Sequence, residues 1–210
     1  MKKVVFAFLW MFISHSLQAQ YGAVELSSGG FSFVPAFTDT NPNIIITAGT
    51  GNKKRLSAHM IGNIRMGSLN PRGFIFISRL KVLDNKFKFS IGTHLPAIQI
   101  DTDFQVDTFF AQEAIASYEV SDKLSFSSMY IHGKGRNNDL EIHLLTFNAH
   151  ARYHKLAFTT QLYLLDLDQT FGLAETLVYP IAKKLQVKAF LNQTLSNGDF
   201  RWTLGLQYAL

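Results

Sequence analysis

Polar and apolar side chains alternate strictly along several stretches of this chain, and no other feature constrains its fold as much. Over residues 200–210, Phe200, Trp202, Leu204, Leu206, Tyr208 and Leu210 alternate with Arg201, Thr203, Gly205, Gln207 and Ala209. Residues 55–66 set Leu56, Ala58, Met60, Gly62, Ile64 and Met66 against Arg55, Ser57, His59, Ile61, Asn63 and Arg65. Residues 86–95 repeat the pattern, with Phe87, Phe89, Ile91, Thr93 and Leu95 opposite Lys88, Ser90, Gly92 and His94. A period of two is the signature of a β-strand, and an apolar row facing a polar row marks a sheet with two different surroundings.

The connections show that these strands belong to a repeated hairpin. Five tight turns end in lysine and open into a strand: Asn52-Lys53-Lys54, Asp84-Asn85-Lys86, Ser121-Asp122-Lys123, Tyr153-His154-Lys155 and Ala182-Lys183-Lys184. Between them lie six connections rich in Asp, Asn, Gly and Pro, at 38–43, 67–72, 96–103, 133–139, 166–169 and 196–199. Eleven connections join twelve strands, read at 31–37, 44–51, 55–66, 73–82, 86–95, 104–120, 123–133, 140–152, 155–165, 170–180, 185–194 and 200–210. A recurring unit of about 30 residues is a supersecondary repeat. Residues 107–118 also fit a helical stripe through Phe110, Ala111, Ala114, Ile115 and Tyr118; the strand is kept because a helix there would leave a neighbour unpaired.

Met1-Lys2-Lys3, an apolar run over 4–13 and Ser16-Leu17-Gln18-Ala19 read as a secretory leader (residues 1–19) cleaved after Ala19. The remaining 20–210 is expected to form one domain, with its formal charge lowered from +5 to +3 by loss of Lys2 and Lys3. That small excess, without a basic run or motif, gives no case for nucleic acid. The absence of cysteine excludes a disulfide scaffold, a thiolate metal site and a lipidated N-terminal cysteine.

With its leader, its repeated amphipathic hairpins and its alternating short and longer connections, the chain resembles the transmembrane β-barrels of Gram-negative outer membranes. The ending Thr203, Gly205, Tyr208 and Leu210 resembles that family's C-terminal assembly signal, with leucine in place of the usual final phenylalanine. The resemblance implies an all-β, antiparallel up-and-down barrel of about twelve strands, within roughly 10–14. It also implies delivery by the barrel-assembly machinery and contact with outer-membrane lipids and lipopolysaccharide. Closure has its own physical cause: in hydrocarbon every backbone N–H and C=O must be paired, so the sheet can have no edge. Apolar rows then face lipid and polar rows face the lumen. Arg55, His59, Arg65, Arg79, Lys81, Lys88, Glu113, Glu175, Lys188 and Arg201 are expected to line it. So many ionisable groups would not form the core of a soluble barrel. The competing reading is an exported soluble β-protein with these residues in water. The lysine turns and both chain ends are assigned to the periplasmic side.

Chemistry-bearing motifs are sparse. His94, His132, His143, Asp103, Asp107, Glu141 and Ser196 map near the opposite rim, where an outer-membrane hydrolase would place its catalytic groups, but no nucleophile-elbow or paired-histidine motif occurs. Asp101-Thr102-Asp103 with Asp107, and Asp166-Leu167-Asp168, lack calcium-loop spacing and read as solvated loop carboxylates. No cofactor, metal or catalytic residue is therefore assigned. The loops look too short to supply a constriction segment. The function expected is a structural or accessory component of the envelope, with an envelope protein as partner. Two alternatives stand beside it: a narrow, anion-leaning channel for small solutes, and a rim-site lipid-modifying hydrolase.

Overall fold

The computed structural model describes residues 21–30, 32, 34–51 and 54–210. The stretch read as a leader (residues 1–19) lies outside these residues, as do Phe31, Phe33 and Asn52-Lys53 of the first lysine turn. Among the described residues are twelve strands: β1 (Tyr21–Ser27), β2 (Asn43–Gly49), β3 (Leu56–Arg65), β4 (Pro71–Asp84), β5 (Phe87–Ile100), β6 (Val106–Ser121), β7 (Leu124–Gly135), β8 (Glu141–Tyr153), β9 (Leu156–Leu165), β10 (Thr170–Ala182), β11 (Leu185–Thr194) and β12 (Phe200–Ala209). Each pairs antiparallel with its sequence neighbours, and β12 returns to β1, from Ala23↔Ala209 to Ser27↔Gly205, closing an up-and-down barrel. The stretch with helical character is strand β6 and is hydrogen-bonded on both sides.

The expected strand over 31–37 is corrected. The first strand lies earlier, at Tyr21–Ser27, and Pro35–Phe37 is a short 3-10 turn. Gly22, Val24 and Leu26 form one row of β1 and Ala23, Glu25 and Ser27 the other, whereas Pro35 has no N–H to give a ladder. β5 likewise runs past its expected end at Leu95; a bulge between His94 and Ala97 turns both toward the interior.

Burial is inverted relative to a water-soluble protein. Phe126, Phe147, Leu162, Trp202 and Leu204 are exposed, Trp202 at 56%, while Glu25, Asn43, His94, Glu113 and Asn192 are buried at 4% or less. The apolar rows therefore face outward around a polar interior, which excludes the soluble reading. Near the tight turns, Lys86 Nζ lies 5.4 Å from the Tyr118 ring centroid and Lys184 Nζ 5.8 Å from that of Tyr208, placing cations over outward aromatics where the belt ends.

Four inward glycines receive large side chains from the neighbouring strand. A Cβ at Gly49, Gly92, Gly172 or Gly205 would come within 2.6 Å of Tyr21, Glu113, Tyr163 or Glu25 respectively. In each case the missing side chain is the space its neighbour occupies.

Glu175 is the second correction. On β10, Gly172 and Ala174 are the buried residues, so Glu175 belongs to the opposite row with Phe171, Leu173, Leu177 and Tyr179. It pairs with Thr160 of β9, whose Oγ1 donates to Glu175 Oε2 at 3.0 Å, on the row of exposed Leu162 and Leu164. This carboxyl group thus sits midway along a lipid-facing row. Acidic groups cost less there than the roughly 2–4 kcal/mol of a basic residue at the midplane. Glu175→Leu is expected to stabilise the barrel by about 1–2 kcal/mol, read from urea unfolding in phospholipid vesicles.

Candidate functional site: a divided lumen

Between β1 and β2, the described residues 34–38 do not stay at the rim. Gly30 N–H donates to Asp39 O at 2.8 Å and closes the neck of this segment. Its Pro35–Phe37 turn carries Val34 and Ala36 into a buried cluster with Ala111, Ile131, Leu144, Tyr163 and Leu165. Those partners belong to β6–β9, across the barrel from β1 and β2, so the segment spans the lumen. Arg201 Nη1 donates to Thr38 O at 3.0 Å, and Arg72 pairs with Asp39. Against the expectation that the connections leave little chain for a segment inside the barrel, this one supplies such a segment.

The interior accordingly has two unlike halves. At the end carrying the longer connections it is packed: Ser27, Asn43, His94, Leu144, Tyr163, Asn192 and Thr194 are all buried. A cavity of about 440 Å³ remains beside the inserted segment, walled by Val34, Phe37, Ile61, Ile75, Ala97, Ile131 and Leu144, with Asn63, Arg72 and His94 as polar points. At the end carrying the tight turns, Ser90, Ser117, His150, Gln161, Thr176 and Lys188 face inward and keep partial solvent exposure.

An ionic cluster lies between the halves. Arg79 donates through Nε to Glu113 Oε1 and through Nη2 to Oε2 at 3.1 Å, a bidentate clamp. His94 Nε2 lies 3.0 Å from the same Oε2 and also lines the cavity. Gly92, facing Glu113 across the ladder, leaves the carboxylate room. Lys188 Nζ lies 3.4 Å from Glu25 Oε2, Lys88 pairs with Glu119, and Lys81 Nζ lies 2.8 Å from Asp84 Oδ2. Arg65 Nη2 donates to Ile100 O at 2.7 Å, and His59 Nδ1 lies 2.6 Å from Tyr21 OH.

Of the ten residues expected to line the lumen, the alternation places His59, Arg65, Arg79, Lys81, Lys88, Glu113, Lys188 and Arg201 on inward rows. Arg55 precedes β3 in an exposed turn and Glu175 faces outward. Sequence reasoning did not single out Glu25, paired with Lys188, although it lies on a row opposite Val24 and Leu26. In the C-terminal motif, Thr203 and Gly205 are buried and inward, Tyr208 faces outward, and Leu210 N–H donates to Gly22 O at 2.9 Å.

Of the rim residues considered for hydrolysis, the structure brings His132, Glu141 and His143 together and keeps the others apart from them. His94 is inside the barrel; His132, Glu141 and His143 are outside it; Asp107 accepts from Asn138 Nδ2 at 2.9 Å. Asp101 Oδ1 accepts the N–H groups of Asp103 and Gln105, both at 2.8 Å, which accounts for it as a turn former. His150 lies between Ser127 Oγ (3.1 Å) and Thr159 Oγ1 (3.0 Å), with a hydroxyl where a triad would hold a carboxylate.

No family model and no curated sequence matches the chain. Solved structures do. The KdgM porin in complex with disordered oligogalacturonate aligns at a TM-score of 0.64 and 12% identity, over 90% of this chain and 97% of that one. The NanC porin aligns at 0.59 and 12%, over 90% and 100%. The fold and the apolar outer belt define a β-barrel of the Gram-negative bacterial outer membrane. Within that class its fold is the twelve-stranded one shared with these porins.

Proposed function

We propose that this barrel is a narrow channel for small solutes, leaning toward anions, with residues 34–39 as its constriction. The observation that carries this reading is the polar, solvent-accessible half of the lumen, into which Lys81, Lys88 and Lys188 project from the wall beside Asp84, Glu119 and Glu25. A component serving only as structure gains nothing from a wet interior, and a filled barrel would bury it. The shared fold with porins, one of them solved with an acidic oligosaccharide, supports the channel over the accessory role. It also supports a non-enzymatic function. The lysine turns and chain ends are assigned to the periplasm, which puts the cavity and the inserted segment on the outside.

Planar bilayers test this directly. Stepwise conductance is expected, with a reversal potential displaced toward chloride in a salt gradient. Silence from folded, heat-modifiable protein, together with a partner that co-purifies at fixed stoichiometry, would return the accessory reading.

A further inference from the structure

We propose that His132, Glu141 and His143 form a binding site for a divalent transition metal of the zinc class, on the outer surface of the barrel at its loop-end rim. One ligand atom from each residue lies within 4.8 Å of the others. They share the outward rows of β7 and β8, directly beyond Tyr130, where His132 and His143 are register partners. His132 Nε2 is 2.8 Å from Glu141 Oε1, and the two imidazoles stack with centroids 4.6 Å apart at 6°.

The charge pattern selects a cation. Glu141 stands on one side of the histidine pair, and Asp166 on the other, its Oδ2 4.0 Å from His143 Nε2. A phosphate would meet both carboxylates. Lys134 Nζ sits 3.8 Å from Glu141 Oε2 and leaves Oε1 turned toward His132. Two imidazoles and carboxylate oxygens, without thiolate, suit Zn²⁺, Ni²⁺ or Cu²⁺ over Mg²⁺ or Ca²⁺.

The group that orients the metal-binding ring is also in place. His143 Nδ1 lies 2.6 Å from Tyr130 OH, so its Nε2 is the available donor, and on metallation Nδ1–H donates to the phenol oxygen. Tetrahedral bonds of about 2.0–2.1 Å require the ligand atoms to draw together. One ring must tilt out of the stack, which the partial exposure of all three side chains allows. Residue spacing along the chain hides this site, because the three ligands meet only once β7 and β8 are in register.

The test is calorimetric titration of the folded, tag-free full-length barrel with Zn²⁺, with X-ray absorption of the loaded protein. Saturable 1:1 binding and a shell of nitrogen and oxygen are expected. His132→Ala and His143→Ala should each weaken binding by at least about a hundredfold, and Tyr130→Phe by about tenfold. These surface changes leave heat-modifiable migration intact, which confirms folding in every variant. Absence of saturable binding, unchanged affinity in the His132→Ala/His143→Ala double variant or in Glu141→Gln, or equal competition by Mg²⁺ would overturn the site. None of these outcomes bears on conductance.

Discussion

Replacing residues 34–37 with Gly-Ser-Gly-Ser is expected to raise single-channel conductance severalfold without preventing barrel assembly. The segment contributes no strand pairing; it is held by the packing of Val34 and Ala36 against the β6–β9 cluster, by the neighbouring β10 and β11, and by the anchors at Thr38 and Asp39. Without these four side chains the outer cavity joins the wet half over a wider section. The stability cost is that of uncovering the apolar surface beneath them, about 25 cal/mol per Å². Wild-type and variant would be reconstituted side by side and compared in unit conductance and in exclusion of neutral sugars of graded size. Equal conductance would mean that the narrowest point lies elsewhere, at the level of Arg79 and Glu113.

Glu113→Ala should destabilise the barrel by about 3–5 kcal/mol, because it leaves Arg79 facing a buried site without its counter-ion. His94 loses its carboxylate at the same time. Urea unfolding in vesicles measures the loss. Replacing Arg79 and Glu113 together by Met and Leu is expected to recover most of it, since the penalty comes from a charge left unpaired. Where Glu113→Ala still folds, Arg79 is uncompensated and the preference for chloride should increase. A drop in stability well below 1 kcal/mol would show that water screens the cluster.

What can be read from the chain is local. The alternation through Phe200–Ala209 needs no knowledge of the partner strand, and the lysine turns mark where each hairpin folds back. β6 is legible as a strand only through pairing, against its helical composition. The first strand escapes because Tyr21–Ser27 is short, while 31–37 is rich in phenylalanine and imitates a strand. The packing of Val34 and Ala36 against β6–β9 lies across the lumen and is invisible locally. Glu175 shows another limit: Phe171, Leu173, Leu177 and Tyr179 set its phase plainly, while its charge alone argues for the lumen, and phase wins. In the lumen, single residues are readable and their pairing is not. Arg79 and Glu113 are 34 positions apart, and only the β4–β5–β6 register joins them.

The notched glycines bear on how such a bore could be re-cut. Its local calibre at Gly92 and Gly205 is a property of two residues, the hollow and its tenant. Adding a methyl to the hollow would evict the tenant into the lumen and narrow it, whereas shortening the tenant would widen the lumen with the backbone untouched. Glu25, whose one charged partner among the described residues is the partly exposed Lys188, is therefore a more natural point than the buried Glu113 at which selection or an engineer can ream this tube.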